Sequence, residues 1–380
     1  MRAGLALLCL AYVLSQFFRA FLAVLSGVLE TDIGAGPDDL AFASGLWFLV
    51  FAAMQLPVGW AQDRIGPRRT ASVLLLLGGG GGAALFSMAT APVHVSLAMA
   101  LIGVGCSPVL MASYYIFARQ FPPAQFATLA ALMLGVGSLG NLVASYPMAL
   151  AAETFGWRAS LGGLAAISAA VALGLALAVR DPSPVEGDAR GSVLDLLRMP
   201  VIWAILPLMF VAYAPSAALR GLWAGPYLSD VFALSTAQIG QATLIMGVAM
   251  IAGTLAYGPL DRILRSRKWV IFTGNLIALA GLAALVLWPD RSLVLSIVLL
   301  AGIGFFGASF PVIIAHGRSF FPPHLAGRGV TLLNLFGIGG VGVAQFATGP
   351  LHSAASGACV LAGYTAIFTL FALSLLTGLA

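Results

Sequence analysis

Residues 101–123 read LIGVGCSPVLMASYYIFARQFPP, and residues 300–323 read LAGIGFFGASFPVIIAHGRSFFPP. Both stretches carry a Gly-x-Gly pair, an apolar run, one arginine and a Pro-Pro pair, in that order. The interval from the second glycine to the first proline is 17 residues in the first copy and 18 in the second. The chain is therefore predicted to be an internal duplication.

Composition indicates that both copies lie in a membrane. Of the 380 residues, 61% are hydrophobic and 8% are charged, whereas soluble domains carry about 25% charged residues. A membrane-crossing helix needs about 20 apolar residues. The sequence therefore predicts an all-α membrane protein with twelve transmembrane helices in two pseudo-symmetric six-helix bundles. The predicted spans are 5–28, 40–60, 70–90, 95–117, 127–150, 159–179, 201–228, 238–258, 269–288, 292–315, 327–350 and 358–378.

One gap between spans differs from the others. Residues 181–199 are polar and contain proline and glycine. They predict a cytoplasmic linker between an N-terminal bundle at 1–180 and a C-terminal bundle at 200–380. When alternate gaps are assigned to opposite sides, 14 of the 18 basic residues fall on one side. The positive-inside rule then places both termini in the cytoplasm, and we expect a multi-pass protein of a bacterial inner membrane.

Two arginines fall within predicted spans. Arg19 lies in the first span and Arg220 in the seventh, whereas all 13 acidic residues fall in gaps or at helix ends. A charged side chain at such depth costs about 2.5 to 3.5 kcal/mol on insertion scales. We therefore expect the compensating negative charge to come from a small anionic substrate, because the planar guanidinium binds phosphate or carboxylate through two oxygens.

The surroundings of the two arginines repeat. Residues 12–19 carry the pattern Tyr-x-x-Ser-x-x-x-Arg, and residues 213–220 carry it again. Spacings of three, four and seven place such side chains on one helical face, and two such faces can meet across a central cavity. Four further aromatic residues are weaker candidates for lining it. The predicted substrate-binding residues are Arg19, Arg220, Tyr12, Tyr213, Ser15, Ser216, Tyr114, Tyr115, Trp223 and Tyr227.

Residues 59–69, in the gap after the second span, read GWAQDRIGPRR. An aspartate at a helix end can accept charge-assisted hydrogen bonds from arginines or from a neighbouring helix N-terminus, which predicts a cytoplasmic latch. Together with twelve spans and the duplication, this stretch resembles the signature loop of the major facilitator superfamily. The resemblance implies alternating access. The predicted gating residues are Gly59, Asp63, Arg64, Gly66, Arg68, Arg69, Asp261 and Arg262.

Within that superfamily the chain resembles the organophosphate:phosphate antiporters. Phe17-Phe18-Arg19 and Arg220 match the positions that form the anion site of that branch. The histidine that the branch carries in its fifth helix has no counterpart here, so a phosphate ester and a carboxylate both stay open. The resemblance implies a secondary transporter that works by exchange.

Other chemistries lack sequence support. The cysteines are isolated, and no Walker, HExxH or GxSxG pattern occurs, so we expect no enzyme activity, catalytic residue, metal or cofactor. We expect the lipid bilayer and the substrate as partners, with no nucleic acid and a monomeric state. Two alternatives are proton-coupled transport of another solute, with Glu30 or Glu153 contributing, and a non-transporting membrane sensor. The histidines, with His352 taken to lie in a loop, receive no role.

Overall fold

The computed structural model describes residues 2–182, 196–264, 266–322, 326–357 and 359–380. No strand occurs within these ranges. In the same ranges, nine continuous helices are long and apolar enough to cross a membrane, and three bent helix pairs bring the number of spans to twelve. The predicted all-helical membrane architecture is confirmed. Most of the predicted linker, residues 183–195, lies outside the described part of the chain.

The first six spans, α1 to α6, belong to a compact unit formed by Met1–Gly187. Three of them are helix pairs bent by 54°, 41° and 43°. Their bounds are Arg2–Phe17 with Leu22–Ile33 (α1), Pro37–Ala53 with Gln55–Arg64 (α2), Pro67–Ser87 (α3), Pro92–Gln120 (α4), Pro123–Val143 with Tyr146–Phe155 (α5) and Trp157–Ala178 (α6).

The other six spans, α7 to α12, belong to a second compact unit formed by Asp188–Ala380. Their bounds are Pro200–Phe232 (α7), Thr236–Leu264 (α8), Arg267–Leu287 (α9), Leu293–Arg318 (α10), Ala326–Ser356 (α11) and Val360–Leu379 (α12).

Glycines allow close helix packing at equivalent places in the two units. A Cβ added at Gly140 of α5 would overlap the carbonyl oxygen of Val13 in α1, and one at Gly340 of α11 would overlap that of Phe210 in α7. Helices in membranes associate through such small residues because lipid supplies no hydrophobic force between them. The duplication seen in the sequence therefore recurs as a shared packing contact.

Helix α1 breaks where the sequence-predicted site begins. Its first part ends at Phe17 and its second begins at Leu22. The amide of Ala20 donates to the carbonyl of Phe17 at 3.0 Å, in the tighter pattern of a 3₁₀ turn. The ring of Phe17 stacks on that of Phe21 at 5.7 Å. Because these aromatic rings cover it, the break lies in a buried, ordered part of the unit.

Helix α7 is irregular at the equivalent place. Its first regular part ends at Ala212, and Pro215 lies in the short helical part Ala214–Ala218 that follows. Proline cannot donate a backbone hydrogen bond, so the regular pattern is interrupted there. Residues Leu219–Trp223 then form a π-helical turn, an arrangement that is frequent at functional sites. Both predicted arginines therefore lie where the regular α-helix is interrupted.

Candidate functional site

Arg19 lies in the break of α1, on an aromatic floor supplied by α2. Its guanidinium carbon is 5.3 Å from the ring centre of Trp47 and 5.0 Å from that of Phe51. The two rings stack on each other at 5.1 Å. A guanidinium within about 6 Å of an aromatic face is attracted by the electron density of the ring. The floor therefore holds the charge in place without neutralising it.

Hydrogen-bond donors are left over at this position. The Nε atom of Arg19 and the Nε1 atom of Trp47 are buried and have no hydrogen-bond partner. The two ion pairs within the described part of the chain, Arg68–Asp181 and Arg158–Asp32, do not involve Arg19. Buried donors are normally satisfied, so an unsatisfied pair calls for an explanation. An anion bound at Arg19 would supply one.

Ser15 and Arg19 both interact with Cys106 of α4, although the helix is interrupted between them. Ser15 is within hydrogen-bonding reach of the Cys106 thiol, and Arg19 is near enough to interact with that thiol electrostatically. The sequence argument assumed one continuous helical face, whereas the regular helix ends at Phe17. Packing against α4 instead places both side chains near Cys106.

Tyr12 belongs to a separate polar cluster in the same unit. The amide of Gln16 donates to the hydroxyl of Tyr12 at 2.6 Å. The amide of Asn141 in α5 lies 3.5 Å from the side-chain oxygen of Gln16. Tyr114 of α4 is near enough to Tyr12 to interact with it electrostatically. Three helices therefore contribute polar groups to one cluster, which we define as Tyr12, Gln16, Tyr114 and Asn141.

Arg220 has a different environment. It lies in the π-helical turn of α7 and is only 3% exposed. Tyr213, at the preceding helix boundary, is near enough to interact with it electrostatically. Ser216 is directed into the unit and donates to the carbonyl of Ile303 at 3.0 Å. Arg220 is thus a deeply buried charge, whereas Arg19 is half-buried.

Trp223 and Tyr227 bind polar groups inside the second unit. The indole N–H of Trp223 lies 3.0 Å from the side-chain oxygen of Gln345. The hydroxyl of Tyr227 donates to the carbonyl of Pro289 and lies 2.8 Å from that of Ser296. Both side chains are at most 1% exposed. These contacts stabilise the unit, so the site that we propose below does not rely on them.

His352 lies inside α11, and the expectation that it would lie in a loop is wrong. It is 8% exposed. Its ring centre is 5.1 Å from that of Trp223 and 4.9 Å from that of Tyr364. The hydroxyl of Tyr364 donates to the carboxylate of Asp230. The sequence predicted the end of this span at residue 350, and the helix continues to Ser356, which brings the imidazole into the core.

The loop before α3 is bound by an acidic residue that the sequence analysis did not select. The backbone N–H of Arg68 donates to Oδ1 of Asp181 at 2.7 Å, and the Nε atom of Arg68 is 3.4 Å from Oδ2. Gly66 has a φ of 103°, and a Cβ there would lie 2.8 Å from the carboxylate carbon of Asp181. A glycine is therefore needed both for the backbone conformation and for the approach of the carboxylate.

The other gating candidates lie around this loop. Asp63 is exposed and lies next to Tyr115, and the Arg119 guanidinium is 4.7 Å from the centre of that ring. Asp63 thus contacts a tyrosine, and the carboxylate that binds Arg68 comes from the end of the first unit. Gly59 is half-buried, Arg64 and Arg69 are exposed, and the side chains of Asp261 and Arg262 lie outside the described residues.

Replacing Asp181 with asparagine is expected to slow transport more than it lowers stability. The ion pair is about one-third exposed, at 31% and 25% for its two side chains, and such pairs contribute about 1 kcal/mol or less. We expect transport to depend on the position of the loop that Asp181 holds. Melting temperature and transport rate should be measured together, with Asp32→Asn at the other ion pair as the control. Equal transport rates in both variants would contradict a gating role for Asp181.

No group of three or more metal-binding side chains is close enough to hold a metal ion within the described part of the chain.

Comparison with known families places the chain in one superfamily. The family model described as Major Facilitator Superfamily matches residues 8–345. The chain belongs to the major facilitator superfamily. It is therefore a multi-pass membrane transporter and not an enzyme. Comparison with curated proteins finds no match.

Solved structures of transporters share the fold of this superfamily member. A bacterial homologue of the human lysosomal transporter Spinster, inward-facing and occupied, is 18% identical with a TM-score of 0.82, covering 99% of this chain and 94% of that one. The nucleoside transporter NupG is 16% identical with a TM-score of 0.78, over 99% and 98%. A D-xylose–proton symporter is 16% identical with a TM-score of 0.79, over 99% and 96%. At such identities the likeness shows the fold alone.

Four contributors were missed by sequence reasoning. Trp47 carries no charge and lies in an ordinary apolar span, so only contact with Arg19 identifies it. Gln16 lies within the repeated pattern at one of its unspecified positions. Asp181 binds Arg68 only because the end of α6 lies next to the loop before α3, and the sequence does not show this contact. His352 carried a visible signal, since the apolar pattern of α11 continues after Pro350.

Proposed function

We propose that this transporter moves a small organic anion, a phosphate ester or a carboxylate, across a bacterial inner membrane by exchange. The observation that carries the proposal is the Arg19 guanidinium, held on Trp47 and Phe51 with a buried Nε that has no hydrogen-bond partner. A charge placed so deep is costly unless a partner compensates it. The substrate supplies the negative charge.

The second unit supplies a further arginine at the corresponding place. Arg220 is 3% exposed and lies near Tyr213, whereas Arg19 lies near Cys106. Two planar guanidinium groups bind phosphate or carboxylate oxygens with defined geometry. The match of Phe17-Phe18-Arg19 and Arg220 to the organophosphate:phosphate antiporters supports an exchange mechanism. The basic gaps support cytoplasmic termini.

Counterflow in reconstituted vesicles tests this proposal. Vesicles containing the protein are loaded with phosphate, a phosphate ester or a dicarboxylate, and uptake of the labelled anion is followed. We expect uptake only when an exchangeable anion is inside, because net movement of a bare anion would build up an opposing potential. Neutral sugars and nucleosides serve as controls. Uptake restricted to neutral or cationic solutes would overturn the anion assignment.

The His352 environment favours a second candidate function, proton-coupled transport. Histidine is the side chain that gains and loses a proton near neutral pH. His352 contacts the rings of both Trp223 and Tyr364, and Tyr364 is bound to Asp230. Both rings would attract an imidazolium, and Tyr227 is the further titratable group in contact with Tyr364. This arrangement can accept a proton inside the unit.

Under this second candidate, His352→Gln is expected to remove the pH dependence of uptake between about pH 5 and 8. Glutamine retains hydrogen-bonding capacity but does not titrate. Uptake should be measured across that range with and without an imposed pH gradient. The control is His94→Gln, because His94 is a half-buried histidine near the start of α4 that lies beside Thr90. An unchanged pH profile in His352→Gln would exclude a coupling role for this residue.

A further inference from the structure

A cavity of about 460 Å³ opens in the second unit between the start of α9, the end of α10 and the start of α11. Arg267, Arg318 and Ser319 form its polar side, and Pro311, Ile314 and Val330 form its apolar side. No carboxylate is among the described side chains that line it. The cavity therefore combines two guanidinium groups with an apolar wall.

The first unit shows what occupies the matching position there. The α3 N-terminus, with Arg68, is bound by the Asp181 carboxylate at 2.7 Å and 3.4 Å. In the second unit, α9 begins at Arg267 after Ser266, whose side chain makes no capping hydrogen bond. The loops before α3 and α9 carry the same Asp-Arg pair in the sequence. A carboxylate binds at the helix N-terminus in the first unit, and a cavity lined by two arginines lies at the equivalent N-terminus in the second.

The positions of the two arginines suit a phosphate group. The Arg267 side chain donates to the carbonyl of Ala315 at 3.4 Å, which orients it along α10. Arg318 is exposed at the end of α10, and Lys268 is exposed one residue after Arg267. The positive end of the α9 dipole adds to this field. Cavity, arginines and helix N-terminus thus all favour a bound anion.

The surroundings distinguish a lipid from a free ion. Trp269, two residues after Arg267, is 60% exposed. Phe320, which directly follows Ser319, is 42% exposed. Exposed aromatic residues concentrate at the boundary between lipid tails and head groups, and basic pockets between transmembrane helices bind anionic head groups. Together with the apolar wall of the cavity, Trp269 and Phe320 provide contacts for a glycerol backbone and an acyl chain. A free anion has neither of these groups.

We propose that this cavity binds the phosphate of an anionic phospholipid, held by Arg267 and Arg318. The site is separate from Arg19 and Arg220 and does not rest on the function proposed above.

Thermal stability of the full-length protein in detergent tests the site. Short-chain phosphatidylglycerol, phosphatidylcholine of equal chain length and inorganic phosphate are added separately. All proteins carry Arg19→Ala, so that phosphate binding at Arg19 does not contribute. The test variant adds Arg267→Gln and Arg318→Gln. The control adds Arg291→Gln, which removes an arginine that contacts Trp288 near the start of α10.

We expect phosphatidylglycerol at 100 times its dissociation constant to raise the apparent stability of the parent and the control, by mass action. The double substitution should remove that shift, and Arg318→Gln alone should reduce it. An equal shift from phosphatidylcholine, or an unchanged response of the double variant, would overturn the proposal. An equal shift from inorganic phosphate at the same concentration would show a free-anion site and overturn the lipid assignment.

Discussion

Replacing Arg19 with alanine is expected to reduce anion binding about 100-fold or more, since removing one partner of a buried charge pair costs about 3 to 5 kcal/mol. The guanidinium is positioned by Trp47 and Phe51, so little ordering is needed when the anion binds. Arg19→Lys keeps the charge but loses the planar fork and the stacking. We expect it to restore only part of the affinity.

Binding is measured as the concentration of anion that stabilises the purified protein, and transport as counterflow in vesicles. The matched control is Arg158→Ala, because Arg158 also lies over a tryptophan, at 4.2 Å from the ring of Trp157, and bonds to Asp32. That variant should bind the anion as the wild type does. If both alanine variants bound equally well, Arg19 would be a structural residue and the anion proposal would fail.

Replacing Gly105 with alanine is expected to destabilise the first unit by about 3 kcal/mol, at the upper end of the range for overpacked cores. The added Cβ would lie 2.7 Å from the carbonyl carbon of Gly78 and would also overlap Gly79. Flexible side chains can move away from such a clash, whereas both neighbours here are backbone. The glycine run in α3 therefore sets the distance between α3 and α4.

Apparent melting temperature in detergent is the measurement, and we expect a fall of roughly 5 to 10 °C, using the temperature shift per kcal/mol of mid-sized domains. Gly135→Ala is the control, because a Cβ at that helical position meets nothing within 4 Å. Alanine also favours a helix over glycine, so the control should melt at or above the wild-type temperature. A Gly105→Ala protein as stable as the control would show that the two helices can separate at no cost.

The spans were predictable because each is a run of about 20 apolar residues, and lipid permits little else than a helix for such a run. The breaks within the helices were harder to predict from the sequence. Pro215 gives a visible reason for the interruption of α7, whereas residues 18–21 contain neither proline nor glycine. The break in α1 depends on the packing of Phe17 and Phe21, which only tertiary structure shows.

The candidate site was predictable where a residue is expensive to bury. Arg19 and Arg220 were identified by their depth in the spans. Burial cost did not identify Trp47, since tryptophan is common in membrane helices. Its role in the site depends on its contact with the Arg19 guanidinium. The role of Asp181 could not be predicted either, because it depends on contact between the end of α6 and a loop more than 100 residues earlier in the chain.

Arg19 and Arg220 occupy the same position in the repeated pattern but differ in burial and in local helix geometry. Arg19 follows a break and is half-buried, whereas Arg220 lies in a π-helical turn that places an extra residue in the helical turn and leaves it 3% exposed. The first guanidinium is therefore the more accessible of the two. Under the proposed function, a mutation at Arg19 should slow association of the anion, while one at Arg220 should speed its release.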